Sequence, residues 1–281
     1  MNSTLPSSEV REIAGHKLTW HRWHPTDKPL KAAIFFLHGQ GDYGERYQEI
    51  ADFLLKQGIA FATCDLPGHG TSSGKRGHVP SLEIVETIAT QGLIEARALV
   101  PNKPVGLGGH SVGGLLALHL LGELKEEPDF SWISSPLLKP EDGKPAWKNK
   151  LIRPLSSLFP SFTISTGVTA DMCRQYLPGE SETTHLLFHN RISLSWAHAL
   201  IKLAEVVRTQ PERLTSEKPL LITQGGKDPI CPAEFCQELV SRIQRDNLQL
   251  FIYPKARHEP FADEGREEVF ANLGDWLSKT S

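Results

Sequence analysis

Short apolar segments alternate with segments of helical periodicity along most of the chain, and this alternation limits the folds that the chain can adopt. Residues 32–37 (AAIFFL) are apolar at every position, as in a strand that is buried on both faces of a parallel sheet. The same reasoning predicts strands at 59–64, 105–107, 130–133, 220–223 and 248–253, a hairpin at 9–13 and 18–23, and helices at 45–56, within 80–100, and at 111–121, 233–245 and 262–277. We therefore expect an α/β fold, with a mostly parallel central sheet of about eight strands flanked by helices.

Residues 137–217 break this alternation. About 80 residues lie here between two predicted buried strands, far more than a strand–helix–strand crossover needs, and a structureless loop of this length is uncommon. The segment contains two amphipathic helical patterns, Trp147/Leu151/Leu155/Leu158 and Trp196/Leu200/Leu203/Val207. We expect a core formed by residues 1–136 and 218–281, and a mainly helical cap at 137–217 above the carboxyl edge of the sheet. The alternative is an insertion without a functional role.

The composition argues against several classes of function. The net charge is −3, with 30 Lys and Arg against 33 Asp and Glu, so no nucleic-acid partner is predicted. The amino terminus has neither a basic nor an apolar run, and no stretch approaches the ~18 apolar residues of a membrane span. We therefore expect a cytoplasmic protein that is at most peripheral to a membrane. The cysteines form no CxxC pairs and are predicted to be free thiols rather than zinc ligands; they are Cys64, Cys173, Cys231 and Cys236.

Two stretches match the pattern Gly-x-Ser-x-Gly, GTSSG at 70–74 and GHSVG at 109–113. The pattern marks a serine nucleophile only where a strand, a sharp turn and a helix follow one another, because that turn exposes the serine at the positive end of a helix dipole. Ser111 lies between a predicted strand and an apolar helix, whereas Ser72 lies in a Gly/Ser/Lys/Arg-rich stretch without a helical pattern. We predict Ser111 as a nucleophile and Ser72 as an ordinary loop residue.

A serine nucleophile needs a general base, and 12 histidines compete for that role. In sheet enzymes with this type of turn the chain order is serine, then an acid, then histidine. His258 fits because it lies in the loop after the predicted strand at 248–253. Asp228 follows the strand at 220–223 and can orient the imidazole. The alternative is that Asp228 only forms a turn and that Asp263 is the acid.

An acyl-transfer reaction also needs hydrogen-bond donors for the oxyanion that develops. The residue after the nucleophile supplies one backbone N–H, here that of Val112, and the loop after an early strand supplies the second. The loop HGQG at 38–41 follows the strand at 32–37, and its candidate donor is the backbone N–H of Gln40. A glycine-rich turn without this role would have a similar sequence, so that alternative stays open.

Taken together, the motifs resemble those of α/β-hydrolases of the monoacylglycerol lipase and lysophospholipase type, over about residues 15–278. The matching motifs are HGQGD at 38–42, ERY at 45–47, DLPGHGTSSG at 65–74, GHSVGG at 109–114, QGGKD at 224–228 and HE at 258–259. The resemblance implies an α/β-hydrolase fold with a cap over an apolar acyl channel, and ester hydrolysis that needs no cofactor. It also implies that Asp42 and Arg46 lie near the polar head group of the substrate.

We therefore expect a serine hydrolase of carboxylic esters that acts through an acyl-enzyme, with monoacylglycerol-like or lysophospholipid-like lipids as substrates. A short-chain carboxylesterase, a thioesterase, a prolyl peptidase and a ligand receptor without activity are the alternatives. A dehalogenase or an epoxide hydrolase is disfavoured because those enzymes have Asp at the position of Ser111. Residues Trp147, Leu151, Leu158 and Phe159 of the cap could contact a lipid surface or be buried on the core. The sequence leaves that choice open and predicts no oligomeric state.

Overall fold

The computed structural model describes residues 5–24, 29–143, 146–175, 187–214 and 216–280. The strands in these ranges are β1 (Ser7–Ile13), β2 (His16–Trp23), β3 (Ala32–Leu37), β4 (Ile59–Cys64), β5 (Val105–His110), β6 (Phe130–Ser134), β7 (Thr163–Ser165), β8 (Arg191–Ser193), β9 (Leu220–Gly225) and β10 (Leu248–Tyr253). Eight of them form one sheet in the order β1-β2-β4-β3-β5-β6-β9-β10. Within it β2 is antiparallel to both neighbours and the remaining pairs are parallel, which confirms the predicted sheet.

Helices cover both faces of this sheet. The α-helices of the described ranges are α1 (Gln48–Lys56), α2 (Leu82–Leu99), α3 (Val112–Leu121), α4 (Ala146–Leu158), α5 (Ala170–Cys173), α6 (Leu194–Thr209), α7 (Ala233–Arg242) and α8 (Arg266–Thr280). Apolar residues of α1 and α8 pack on one face, and those of α2, α3 and α7 pack on the other. The neighbours Phe35 and Phe36 of β3 belong to opposite faces, because successive side chains of a strand alternate. Both are 0% exposed, so β3 is buried on both sides as its sequence predicts.

Two predicted helices begin later than expected. The helix predicted at 45–56 begins as a 3₁₀ helix over Gly44–Tyr47, and α1 itself starts at Gln48. The last helix begins at Arg266 rather than at 262, because the side chain of Asp263 closes a turn before it. Its Oδ1 accepts a hydrogen bond from the Glu264 N–H (2.8 Å) and its Oδ2 accepts one from the Arg257 N–H (2.7 Å). Aspartate commonly binds nearby backbone in this way and so favours a turn over a helix interior.

The predicted cap segment contains α4, α5, α6 and the antiparallel pair β7–β8. Helix α6 packs against α3, and its predicted apolar residues belong to the main core cluster; they are Trp196, Leu200, Leu203 and Val207. The pair β7–β8 was not predicted, because each strand has three residues and so shows no usable periodicity. The division of the chain into a core and a cap stays a prediction, and α6 contributes to both.

Several apolar residues of the predicted cap segment are exposed rather than buried on the core. Leu151 and Leu155 are 47% and 37% exposed, and Leu158, Phe159 and Phe162 are 57–70% exposed. Trp147 lies outside the residues whose side chains are described. The apolar stripe of α4 therefore faces outward where it is described. In the described ranges, no helix combines the length and the apolar composition that a membrane crossing requires.

Candidate active site

Ser111 occupies the sharp turn between β5 and α3. Its φ of 56° and ψ of −117° lie outside the regions that L residues favour, a strain typical of a nucleophile elbow. The start of α3 packs closely on the end of β3. A Cβ at Gly113 would lie 2.0 Å from the carbonyl oxygen of Leu37, so only glycine fits there. The Ser111 N–H donates to the Ser134 carbonyl (2.9 Å). The strand–turn–helix context predicted for Ser111 is therefore present.

Ser72, the serine of the second matching pattern, is held in a different way. Its hydroxyl accepts a hydrogen bond from the Thr19 N–H (2.8 Å) and donates one to the Asp65 carbonyl (2.6 Å). The side chain thus fastens the loop after β4 to β2. This structural role agrees with the prediction of an ordinary loop residue.

His258 and Asp228 form a buried pair. The His258 Nδ1 lies 2.7 Å from Asp228 Oδ2, and the side chains are 5% and 0% exposed. Asp228 is fixed in turn because its Oδ1 accepts from the N–H groups of Ile230 (2.8 Å) and Cys231 (2.9 Å). A carboxylate at Nδ1 keeps the proton on that nitrogen and leaves Nε2 as the basic nitrogen of the neutral ring.

The charges of this pair shift both pKa values. Burial disfavours the charged form of each group, but the electrostatic attraction of Asp228 raises the pKa of His258 above its ordinary value. Burial also opposes ionisation of Asp228, yet His258 and two backbone N–H groups lower the pKa of this carboxyl. The alternative acid, Asp263, binds backbone N–H groups of its own turn instead.

Ser111, Asp228 and His258 follow β5, β9 and β10, whose carboxyl ends lie at one edge of the sheet. Ligands of open parallel sheets bind at this edge. Further contacts connect the three loops. The ring of His110, beside Ser111 in the chain, lies 4.7 Å from the ring of His258, centroid to centroid. A Cβ on Gly39, in the loop after β3, would lie 3.3 Å from Ser111 Cβ.

Gln40 and Val112 were predicted to present backbone N–H groups to an oxyanion. Val112 begins α3 directly after Ser111. Gln40 lies in the turn that the Asp42 N–H closes by donating to the Gly39 carbonyl (3.3 Å). Neither the Gln40 nor the Val112 N–H donates to an acceptor within the part of the chain that the structure describes. Both groups are therefore available to a ligand oxygen, and their role in catalysis stays a prediction.

Asp42 and Arg46 were predicted near a substrate head group, and the structure engages both in an internal ion-pair network. Arg46 donates to Asp42 Oδ1 (2.8 Å) and to Glu259 Oε1 (2.9 Å), and Tyr47 donates to Asp42 Oδ2 (2.8 Å). Arg174 lies 3.6 Å from Glu259 Oε2. The side chains of Arg46, Asp42 and Glu259 are 8%, 6% and 4% exposed. All three side chains are thus held by contacts within the protein, and the contact of Asp42 and Arg46 with substrate stays a prediction.

The network has a clear electrostatic consequence. Burial alone would raise the pKa of Asp42, but the Arg46 guanidinium and further hydrogen bonds lower it to about 2. Asp42 is therefore ionised at neutral pH. The role of Glu259, directly after His258, was missed in the sequence. An opposite charge in another motif, Arg46, was the signal that could have indicated it.

Three donor groups at this site lie close enough to one another to hold a metal ion. They belong to Asp228, Cys231 and His258, whose ligand atoms lie within 4.8 Å of one another, and no other such group occurs in the described ranges. The direct hydrogen bond between His258 and Asp228 explains their proximity without an ion. Free thiols were predicted for the four cysteines, and all four are free and buried.

The sheet, the strained serine turn and the His–Asp pair define a hydrolase of the α/β type, and comparison with known proteins gives the family. Residues 28–265 match the family described as serine aminopeptidase, S33. The chain belongs to this family. The predicted α/β-hydrolase fold is thereby confirmed, and so is the resemblance to monoacylglycerol lipases that follows from the individual comparisons.

Two relatives and one solved structure illustrate the range of similarity. An uncharacterised abhydrolase domain-containing protein of Dictyostelium discoideum is 30% identical over 93% of this chain, although the match spans 28% of that protein's length. A monoacylglycerol lipase of Mycolicibacterium smegmatis is 25% identical over 99% of this chain and 98% of its own length. The crystal structure of a monoacylglycerol lipase from Paleococcus ferrophilus matches with a TM-score of 0.84 and 25% identity, covering 94% of this chain and 99% of that one.

Proposed function

We propose that this protein is a serine hydrolase that cleaves carboxylic esters of monoacyl lipids, with monoacylglycerols as the first substrate class to test. The observation that carries the proposal is the strained turn at Ser111 beside the buried His258–Asp228 pair. Similarity along the full chain to a monoacylglycerol lipase supports the substrate class. Lysophospholipids carry the same acyl-ester chemistry on a different head group and form the second class.

In the proposed reaction, Ser111 attacks the ester carbonyl while His258 Nε2 takes the hydroxyl proton. Asp228 holds the ring through Nδ1 and stabilises the imidazolium that forms. The N–H groups of Gln40 and Val112 stabilise the oxyanion, a contribution worth about 10²–10³ in kcat per donor. His258 then protonates the departing alcohol. Water, activated by the same imidazole, hydrolyses the acyl-enzyme and releases the fatty acid. No step needs a cofactor.

Within the described ranges, the charges near the site favour an ester substrate over a peptide with a free amino terminus. An aminopeptidase needs a carboxylate to bind the substrate ammonium, because an unpaired buried charge is costly. Asp42 and Glu259 both pair with Arg46, and Asp228 pairs with His258. An uncharged head group, such as glycerol, requires no additional carboxylate.

The second part of the proposal concerns how the predicted cap binds the substrate. We expect residues 137–217 to cover the acyl chain, and the exposed side chains of Leu151, Leu158, Phe159 and Phe162 to contact a lipid surface transiently. An exposed apolar patch of this kind is typical of an interaction site. The substrate then passes from the lipid phase to Ser111 without crossing bulk water.

A substrate screen tests this function. The purified protein is assayed on monoacylglycerols of several chain lengths, lysophospholipids, p-nitrophenyl esters, acyl thioesters and a prolyl amide, with Ser111→Ala as the matched control. We expect the highest kcat/KM on monoacylglycerols and no turnover by Ser111→Ala. A higher kcat/KM on the prolyl amide or on thioesters would overturn the substrate assignment. Turnover of an ester by Ser111→Ala at the wild-type rate would overturn the nucleophile assignment.

A further inference from the structure

The returning segment of the cap, residues 187–196, lies against the loops that follow β3 and β4. The His189 N–H donates to the Gly41 carbonyl (2.9 Å), and the Ser193 N–H donates to the Gly77 carbonyl (2.8 Å). The contact is close, because a Cβ at Gly41, whose φ is 77°, would lie 1.7 Å from the His189 carbonyl oxygen. The loop that holds the first proposed oxyanion donor is thus packed directly on the cap.

The side chain of Gln40 makes the most specific of these contacts. Its Nε2 donates to the Arg191 carbonyl (2.8 Å), and its Oε1 accepts from the indole N–H of Trp196 (3.0 Å). One amide group therefore binds both β8 and the first turn of α6. The two bonds fix which way the amide points, since only one orientation satisfies a carbonyl on one side and an N–H on the other.

Both partners of this amide are themselves held rigidly. Trp196 is 1% exposed and belongs to the main core cluster, and its backbone N–H donates to the side chain of Ser193, which caps α6. Arg191 is fixed to β7 because its guanidinium donates to the Thr163 Oγ1 (2.9 Å). The close packing around Trp196 transmits position rather than absorbing it.

We propose that the Gln40 side chain is a positioning residue that holds the oxyanion loop against the cap, so that residues 191–196 are a structural part of the oxyanion hole. The inference rests on the proposed function, because it takes the backbone N–H of Gln40 as an oxyanion donor. The backbone of this residue faces the reaction while its side chain anchors it to another part of the molecule. Loss of the two hydrogen bonds of the Gln40 amide lets the backbone N–H of Gln40 move, although this donor is still present.

The size of the expected effect follows from geometry. Removal of an oxyanion donor costs about 10²–10³ in kcat, and misplacement by about 1 Å can cost up to 10²-fold. A donor that is loosened but still present should cost less, about 10-fold in kcat. The value of KM should change little, since the oxyanion forms in the transition state and the tetrahedral intermediate and is absent from the bound substrate.

A double-mutant cycle tests the proposal with the intact protein. Gln40→Ala removes both hydrogen bonds, and Trp196→Phe removes only the indole donor while keeping an aromatic ring in the core. Trp23→Phe is the matched control, because the Trp23 indole donates to the Gln48 side chain (2.8 Å) in a comparable buried pair of the core. The kcat and KM for p-nitrophenyl butyrate and the inhibition constant of a trifluoromethyl ketone are measured for each variant, well below its unfolding temperature.

We expect kcat to fall about 10-fold for Gln40→Ala and less for Trp196→Phe, with KM within twofold. The double variant should be no slower than Gln40→Ala, and trifluoromethyl ketone binding should weaken by the same factor as kcat. Trp23→Phe should change stability but not kcat. Unchanged kcat in Gln40→Ala, multiplicative effects in the double variant, or an equal loss in Trp23→Phe would each overturn the proposal.

The wild-type protein separates this outcome from failure of the proposed function. A fluorophosphonate probe labels a serine hydrolase whatever its natural ester. If the wild type is neither labelled nor active, the proposed function itself fails, and the positioning role of Gln40 fails with it. If the wild type is labelled and active while the Gln40→Ala and Trp196→Phe variants react at the wild-type rate, only the positioning role fails.

Discussion

Two buried carboxylate pairs meet at the loop after β10, and they differ in what their charges can do. His258 pairs with Asp228, and the next residue, Glu259, pairs with Arg46. The first pair contains an imidazole that gains and loses a proton near neutral pH. The second contains a guanidinium, which stays charged in proteins. The proposed mechanism therefore uses His258 for proton transfer, whereas the charge of the Glu259–Arg46 pair stays fixed.

The two pairs also connect different elements of the protein. The His258–Asp228 pair lies between loops of the two neighbouring strands β9 and β10. The network around Arg46 connects the loop after β3 with the loop after β10, and through Arg174 with the predicted cap segment. The Glu259 N–H also donates to the Cys173 carbonyl of the cap (2.8 Å). Loss of the first pair should affect chemistry, and loss of the second should affect stability.

The largest effect is expected for Asp228→Asn. The amide cannot keep the proton on His258 Nδ1 or stabilise the imidazolium, so kcat should fall by about 10⁴ while the fold is retained. The measurement is the steady-state rate on a soluble ester, with circular dichroism as a check of folding. Asp263→Asn is the control, and its kcat should fall less than tenfold. A greater loss in Asp263→Asn than in Asp228→Asn would reverse the assignment of the acid.

Arg46→Leu should mainly reduce stability. It leaves the buried carboxylates Asp42 and Glu259 without this partner, and breaking a buried ion pair costs about 3–5 kcal/mol. Urea unfolding measures this free energy. Arg97→Leu is the control, because Arg97 pairs with Asp129 at a site where their side chains are 34% and 31% exposed, and such pairs contribute about 0–1 kcal/mol. Equal destabilisation by both variants would contradict the buried network.

The two pairs should also respond differently to pH. In the proposed mechanism neutral His258 is the base. Because its pKa is raised, kcat/KM should rise with pH through a midpoint above the ordinary histidine value of 6.5. Asp42, with a pKa of about 2, should add no second transition. A pH profile of kcat/KM on a soluble ester measures this. A midpoint below the ordinary value would show that Asp228 does not stabilise the imidazolium.

The stability of the first pair follows the same pKa shifts. Since the pKa of His258 is raised by folding, its contribution to stability is complete below its ordinary pKa and is lost as the pH rises through the raised value. Asp228 has a lowered pKa, so its contribution is present above the ordinary aspartate value and is lost as the pH falls through the lowered one. The unfolding free energy of Asp228→Asn should show neither of these two pH dependences.

The smallest effect is expected on the outer face of α4 and the residues after it. Leu158→Asp or Phe159→Asp should reduce hydrolysis of vesicle-bound monoacylglycerol by about 5-fold each, if each side chain buries roughly half its apolar area in lipid. Hydrolysis of a soluble ester should not change. Ile94→Asp, at an apolar position of α2 that is 50% exposed, is the control. Equal losses on both substrates would argue against contact with lipid.

Much of this architecture was predictable because its signals are local. The apolar run of β3, the strand–turn–helix context of Ser111, and the loop positions of Asp228 and His258 are each visible within about ten residues of sequence. The parallel order of the strands then brings their carboxyl ends together. The start of α8 was missed because Asp263 binds backbone on both sides of a turn, which apolar periodicity cannot indicate.

The interactions that were not predicted join distant parts of the chain. Arg46 and Glu259 are 213 residues apart, and Gln40 and Trp196 are 156 residues apart. Which residues pair in these interactions depends on the order of the strands and on the path of the predicted cap segment. No local sequence pattern encodes either of them. The Gln40 side chain illustrates this, because the motif identified its backbone as a candidate donor and gave no indication that its amide binds the cap.

Trapping of the acyl-enzyme shows directly whether Ser111 is the nucleophile. The protein is mixed with p-nitrophenyl butyrate, quenched in acid during the first turnovers, and digested for mass spectrometry. We predict one butyryl group on the peptide that contains Ser111. The Ser111→Ala variant should carry none and should be inactive. A butyryl group on Ser72, or ester turnover by Ser111→Ala at the wild-type rate, would contradict this prediction.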